Sequence, residues 1–132
     1  MIKLLPLTLV AIATVTAGCA SGPSAHQLAA ADYGPMPENA QEMIKAYVDA
    51  RMRDPSDAKY DFYRPLTKSW YGYGNAGQFG WATCVGINAK NAYGGFTGSL
   101  PSYFFIKDGV ILQAIHSASD GEAKVRELCA AI

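Results

Sequence analysis

Three cysteines carry the most specific chemistry that the residue types of this chain offer. Cys19 follows Thr16-Ala17-Gly18, small residues at the end of an apolar run from Leu4 to Val15 that begins behind Lys3. A positive start, an apolar stretch and small residues before a cut make an export signal, and the stretch falls short of the roughly 20 residues of a membrane-crossing helix. With a cysteine directly after the cut, the pattern predicts a lipoprotein signal peptide over residues 1–18 and acyl chains on Cys19. Thr16 stands where a larger aliphatic residue is usual, and the competing reading is an ordinary secretory signal with Cys19 beside the cut by chance. Acyl chains contribute about 0.8 kcal/mol per buried methylene, so more than one of them anchors a domain stably without a spanning helix. Ala20 is not the aspartate that usually retains lipoproteins at an inner membrane. The expected address is therefore the cell envelope and, in a Gram-negative host, the outer membrane facing the periplasm.

Cys84 and Cys129 remain, and two leftover cysteines in an exported chain are expected to pair. The alternative is a nucleophilic Cys84, for which there is no Cys-x-x-Cys motif or hydrolase signature to speak. The other distinctive group is Asn88-Ala89-Lys90-Asn91, followed by Tyr93-Gly94-Gly95-Phe96-Thr97-Gly98. It gathers amide, ammonium and aromatic groups beside a glycine loop, so Asn88, Lys90, Asn91, Tyr93, Gly94 and Gly95 are candidate binding residues for a carboxylate, a phosphate or a sugar. The same residues also read as a structural loop, in which glycines permit a bend and the asparagines bond backbone groups. The Gly-x-x-x-x-Gly-Lys-Ser/Thr pattern of a phosphate-binding loop is missing.

No catalytic set stands out. The histidines are His26 and His116, and the serines next to His116 in sequence, Ser117 and Ser119, belong to no Gly-x-Ser-x-Gly elbow. Two histidines without His-x-x-x-His or paired-cysteine spacing give no expectation of a metal or other cofactor. Removing residues 1–18 takes away Lys3 and leaves one more acidic than basic side chain in about 110 residues, a single small domain without the basic excess of a nucleic-acid-binding module.

The elements that must position these groups follow from periodicity. Residues 19–37, rich in Ala, Ser, Gly and Pro, read as a lipidated cysteine and flexible tether with a solvent-exposed His26, and residues 38–132 as one domain. Asn39 and Glu42 have capping-box spacing ahead of a helix with Met43, Ile44, Tyr47, Val48 and Met52 on its apolar stripe, Asp49 and Arg53 outside, and Asp54-Pro55 at its end. Alternation predicts a strand over 58–66, with Tyr60, Phe62, Arg64 and Leu66 on one side. Further strand with a loop near Asn75-Ala76-Gly77 comes next, its Trp70, Tyr71 and Tyr73 either core or contact surface. A strand over 81–90 and a hairpin of 102–107 with 110–116 around Asp108-Gly109 follow. A last helix, with Ser119 and Glu122 at capping-box spacing, turns Val125, Leu128, Cys129 and Ile132 inward. The expected fold is α+β: an N-terminal helix, an antiparallel sheet of about four strands and a C-terminal helix packed on it, with the helices against one sheet face and a disulfide tying the last helix to a central strand.

Cys84-Val85-Gly86-Ile87-Asn88-Ala89-Lys90-Asn91 and Gly94-Gly95-Phe96-Thr97-Gly98, with Asp54-Pro55-Ser56-Asp57-Ala58 upstream, resemble a family of small exported bacterial proteins. That family carries Asp-Pro-x-Ser-Ala, then Cys-Gly-x-Val-Asn-Ala-Lys-Asn and a Gly-Gly-Tyr-x-Gly loop. Here Asp57 replaces the Ser and the glycine after the cysteine is displaced by one. The likeness runs from about Asp54 to Asp108. It implies an exported domain and assigns neither an activity nor catalytic residues. The expectation is a non-enzymatic envelope lipoprotein, a binding or assembly module held to the membrane through Cys19 and contacting an envelope protein or cell-wall component. Trp70, Tyr71, Tyr73 and Tyr93 would supply contact area, and Lys90 and Asn91 polarity. The alternative is an inhibitor of a cell-wall hydrolase such as lysozyme, with Lys90 entering an acidic cleft.

Overall fold

Asp108 and Gly109 both have positive φ (49° and 74°), the geometry that a two-residue hairpin turn needs. They join β3 (Leu100–Lys107) to β4 (Val110–His116) in a computed structural model that describes residues 22–73, 77–117 and 121–132. The signal stretch, Cys19, Asn75, Ala76 and Ser119 lie outside the described residues. With β1 (Lys59–Tyr71) and β2 (Gln78–Asn88) the hairpin forms a four-stranded sheet in the order β1-β2-β3-β4, every neighbour antiparallel. Helices α1 (Ala25–Ala30), α2 (Ala40–Asp49) and α3 (Glu122–Ala130) complete an α+β fold.

The core lies on both sides of this sheet. Val85, Ile87, Phe104 and Ile106 point to one face and pack with Ile44 and Val48 of α2. Ala82, Cys84, Tyr103 and Phe105 point to the other and pack with Val125 and Cys129 of α3. The helices therefore cover opposite faces, where the sequence led us to expect one. The reason is the two-residue period of a strand: Cys84 and Val85 are neighbours in sequence and point apart, so the helix bonded to Cys84 cannot share a face with the helix packed on Val85. Residues 102–106 are consequently buried without alternation. Cys84 and Cys129 are joined, with Cα atoms 6.0 Å apart.

Several local expectations are revised. Asn39 precedes α2 but makes no side-chain cap, because its backbone (φ −101°, ψ 26°) is not in the extended conformation from which a cap reaches back. Asp49 ends α2 before Asp54-Pro55 and accepts a hydrogen bond from the Tyr60 hydroxyl. β1 runs to Tyr71, and its register with β2 shifts between Asp61 and Arg64 and again between Arg64 and Thr67. These bulges place Arg64 opposite Cys84, so it leaves the row of Tyr60 and Phe62. Pro65, without an N–H to donate, sits within the second of them on what is an edge strand. α3 has Gly121 at its N-cap position, with no side-chain cap.

The described part of the expected tether, residues 22–37, is fixed to the domain. Ser24 and Gln27 make the reciprocal capping box that opens α1 (3.2 and 2.8 Å). Tyr33 sets its ring edge-on to Phe79 at 5.7 Å. The Trp81 indole N–H donates to the Gly34 carbonyl (3.1 Å), and the Lys107 ammonium to that of Asp32 (2.6 Å). A composition of small residues suggested freedom, but one half-buried ring and two bonded carbonyls are enough to hold the segment. His26 is exposed, as expected.

The disulfide closes a loop of 45 residues, worth roughly 4 kcal/mol on the chain-entropy account. Reduction, or replacement of both Cys84 and Cys129 by alanine, is expected to lower the unfolding free energy measured in urea by about that amount. An unchanged urea midpoint would show that the bond is incidental to stability.

Candidate functional site

Asn91 organises the loop that leaves β2. Its side-chain Oδ1 accepts from the backbone N–H groups of Tyr93 (2.9 Å) and Gly95 (3.1 Å), and its own N–H donates to the Gly95 carbonyl (2.7 Å). Asn88 Oδ1 accepts from Gly98 N–H at 3.1 Å, closing the other end, and Thr97 N–H reaches the Ala89 carbonyl at 2.9 Å. Gly94 and Gly98 have φ of 81° and 84°, where a side chain would be strained. Lys90 pairs with Asp57, whose hydrogen bond and charge raise the lysine pKa. The two stretches that carry the resemblance thus meet in space through Asp57 and Lys90. Phe96 lies beneath both Lys59 (5.0 Å from the ring centre) and Lys90 (5.9 Å).

The six candidate binding residues therefore come together with unequal duties. Asn88 and Asn91 satisfy backbone donors, Gly94 and Gly95 shape the bend, and Lys90 has an anionic partner. Tyr93 is left standing outward, 97% exposed, with Phe96 at 44% beside it. A short, rigid loop displaying aromatic surface is suited to contact with another molecule and carries no group poised for bond making.

The structure also assembles a pair that sequence inspection missed. Ser102 Oγ lies 2.8 Å from His116 Nδ1 across β3 and β4. A plain hairpin around Asp108-Gly109 would put Ser102 opposite Ile115. The register shift between Phe105 and Ile106 moves it to His116, and nothing in the sequence announces that shift. A serine hydrogen-bonded to a histidine is half of a nucleophilic arrangement. Here Ser102 is 1% exposed, so its hydroxyl cannot meet a substrate, and the half-buried His116 satisfies a buried polar group.

The aromatic segment divides. Tyr71 turns toward the core, its ring 6.2 Å from Tyr103 and 6.0 Å from Phe105, whereas Tyr73 is 83% exposed and Trp70 half-buried. Trp70, Tyr71 and Tyr73 border a cleft of about 500 Å³ between the end of β1 and the C-terminal half of α3. Among the described residues no group of three His, Cys, Asp or Glu side chains gathers where a metal could sit, and no helix is long and apolar enough to cross a membrane. Comparison with family models, curated proteins and solved structures gives no match.

Burial, with the Arg51 charge adding to it, holds the His116 pKa below the ordinary histidine value. The unfolded chain then takes up the proton more readily than the folded one. Stability is full above the ordinary histidine pKa and declines as pH falls through the lowered one. The urea midpoint is expected to fall between about pH 7.5 and about pH 5, and to fall less in His116→Gln. Equal losses in the two proteins would assign the acid sensitivity to other groups.

Proposed function

We propose that this chain is a lipid-anchored protein of the bacterial cell envelope that acts as a non-enzymatic binding or assembly module. Cys19 is its anchor, and the outer membrane facing the periplasm is its place in a Gram-negative host. The observation that carries the binding role is the Asn88–Gly98 loop: Tyr93 is 97% exposed at the tip of a backbone tied down by Asn88 and Asn91. A large ring held on a rigid support loses little conformational freedom on binding, which is why such rings serve as contact anchors. The joined cysteines are in keeping with export to an oxidising compartment. The alternative role, an inhibitor that inserts Lys90 into the acidic cleft of a cell-wall hydrolase such as lysozyme, is less well supported, because Asp57 already holds that ammonium.

Two measurements test this reading. Cells fed a tagged palmitate are expected to label the native chain and not Cys19→Ser; an unlabelled native chain would remove the lipid anchor. In parallel, the native chain and a Tyr93→Ala, Phe96→Ala variant are immobilised and exposed to detergent-solubilised envelope of the source organism. A partner retained by the native chain and lost, by tenfold or more, from the variant is the expected result. Identical retention by both would take the loop out of recognition.

A further inference from the structure

The N-terminal segment and the Tyr93 loop lie at opposite ends of the sheet. Gly22 is set so closely against the Trp70 ring that a Cβ there would stand 2.6 Å from it. Trp70 pairs with Phe79, next to the end of β1 at Tyr71. The Asn88–Gly98 loop leaves the other end of β2, where Asn88 pairs with Lys59. The 11 residues of β2 separate the two ends by roughly 33 Å at the ordinary rise of a strand. Gly22 also stands three residues after Cys19. Three residues span at most about 11 Å, whatever their conformation. Acyl chains on Cys19 enter the hydrocarbon, and the headgroup layer above it is about 5–8 Å deep. An anchor at Cys19 therefore holds the Trp70 end of the sheet at headgroup level or just above it, by covalent reach alone.

The surface at that end has the chemistry of a membrane boundary. Tyr73 is 83% exposed, and Trp70 is half-buried. Leu128 and Ile132, also half-buried, border the same cleft. Tyrosine and tryptophan favour the membrane–water boundary because the ring sits among apolar atoms while its hydroxyl or N–H stays hydrated. Lys68 is exposed and lines the same cleft. Among the described residues it has no anionic partner and lies over the rings of Tyr33 (5.3 Å) and Trp81 (6.0 Å). Lys124, by contrast, pairs with Glu127 at 3.2 Å. An ammonium without a carboxylate beside it is suited to lipid phosphate. A surface tethered to its target meets it at high effective concentration, so a modest contact area suffices.

We propose that the end of β1 docks on the headgroup layer of the bilayer that carries the anchor. Tyr73 and the edge of Trp70 lie among the headgroups, Lys68 meets lipid phosphate, and the Tyr93 loop is turned away from the membrane. The inference rests on the lipid anchor at Cys19 and adds an orientation to it, in which the contact loop faces the aqueous space.

The test uses the chain as cells process it, labelled with tagged palmitate, purified in detergent and reconstituted into vesicles of phosphatidylethanolamine and phosphatidylglycerol. Tyr73→Trp and Tyr93→Trp each add one fluorescent reporter at an exposed position, 83% and 97% in the native chain, so neither change disturbs the core. Emission is compared between ordinary vesicles and vesicles whose acyl chains carry bromine next to the headgroup, a contact quencher, with the native chain subtracted. The emission added by Tyr73→Trp is expected to be largely lost in the brominated vesicles, and that added by Tyr93→Trp to be kept. If the chain carries the label and floats with the vesicles but the Tyr73→Trp emission is kept, docking is overturned and the anchor stands. Loss of the Tyr93→Trp emission, alone or together with that of Tyr73→Trp, overturns the orientation. A chain that neither carries the label nor floats with the vesicles removes the anchor, and the docking with it.

Discussion

Burial of the two central strands on both faces is the constraint on which the rest of this structure depends. From Ser102 to Ile106 no side chain of β3 reaches solvent to any extent. Phe104 and Ile106 require cover on one side, Tyr103 and Phe105 on the other, and each such side chain contributes about 1.5–3 kcal/mol when removed from water. One helix cannot supply both covers. α2 takes one face through Ile44 and Val48, and α3 takes the other through Val125 and Cys129. The Cys84–Cys129 bond then fixes the short C-terminal helix to the strand it covers, which matters because a helix of this length holds little structure alone.

The outer strands are managed differently. β1 carries two register shifts, the second of them holding Pro65, features that discourage an edge from recruiting another strand. Its far end is enclosed instead by the N-terminal segment, which lays Tyr33 on Phe79 and approaches Trp70 with Gly22. That enclosure, with α3 on the other side, creates the cleft that reaches Tyr103. The N-terminal segment from residue 22 is thus part of the domain surface.

The loop after β2 spends most of its polar groups on itself. Asn88 and Asn91 answer backbone donors, and Lys90 answers Asp57. What it presents outward is ring surface. The cleft beside α3 divides its rings: Tyr71 turns to the core beside Tyr103, and Tyr73 stands exposed at the edge.

Local order alone determined much of this protein. Periodicity located the helices that carry Ile44 and Val125. The Asp108-Gly109 pair fixed a hairpin because that turn requires positive φ at both positions, and two spare cysteines implied a bond that the fold accommodates. Asn88 and Asn91 could be read as structural or binding residues, and only the fold shows that their side-chain oxygens accept from the Gly98 and Gly95 N–H groups. The same holds wherever the outcome depends on residues far apart in sequence. The two faces claimed by α2 and α3, the register shift that brings Ser102 to His116 and the docking of residues 22–37 are all products of long-range contact. A strand's pattern says which residues share a face, but not which helix will cover that face or where a bulge will shift its partner. Those choices are made by the competition of whole elements for the same buried area, and no local window of sequence contains it.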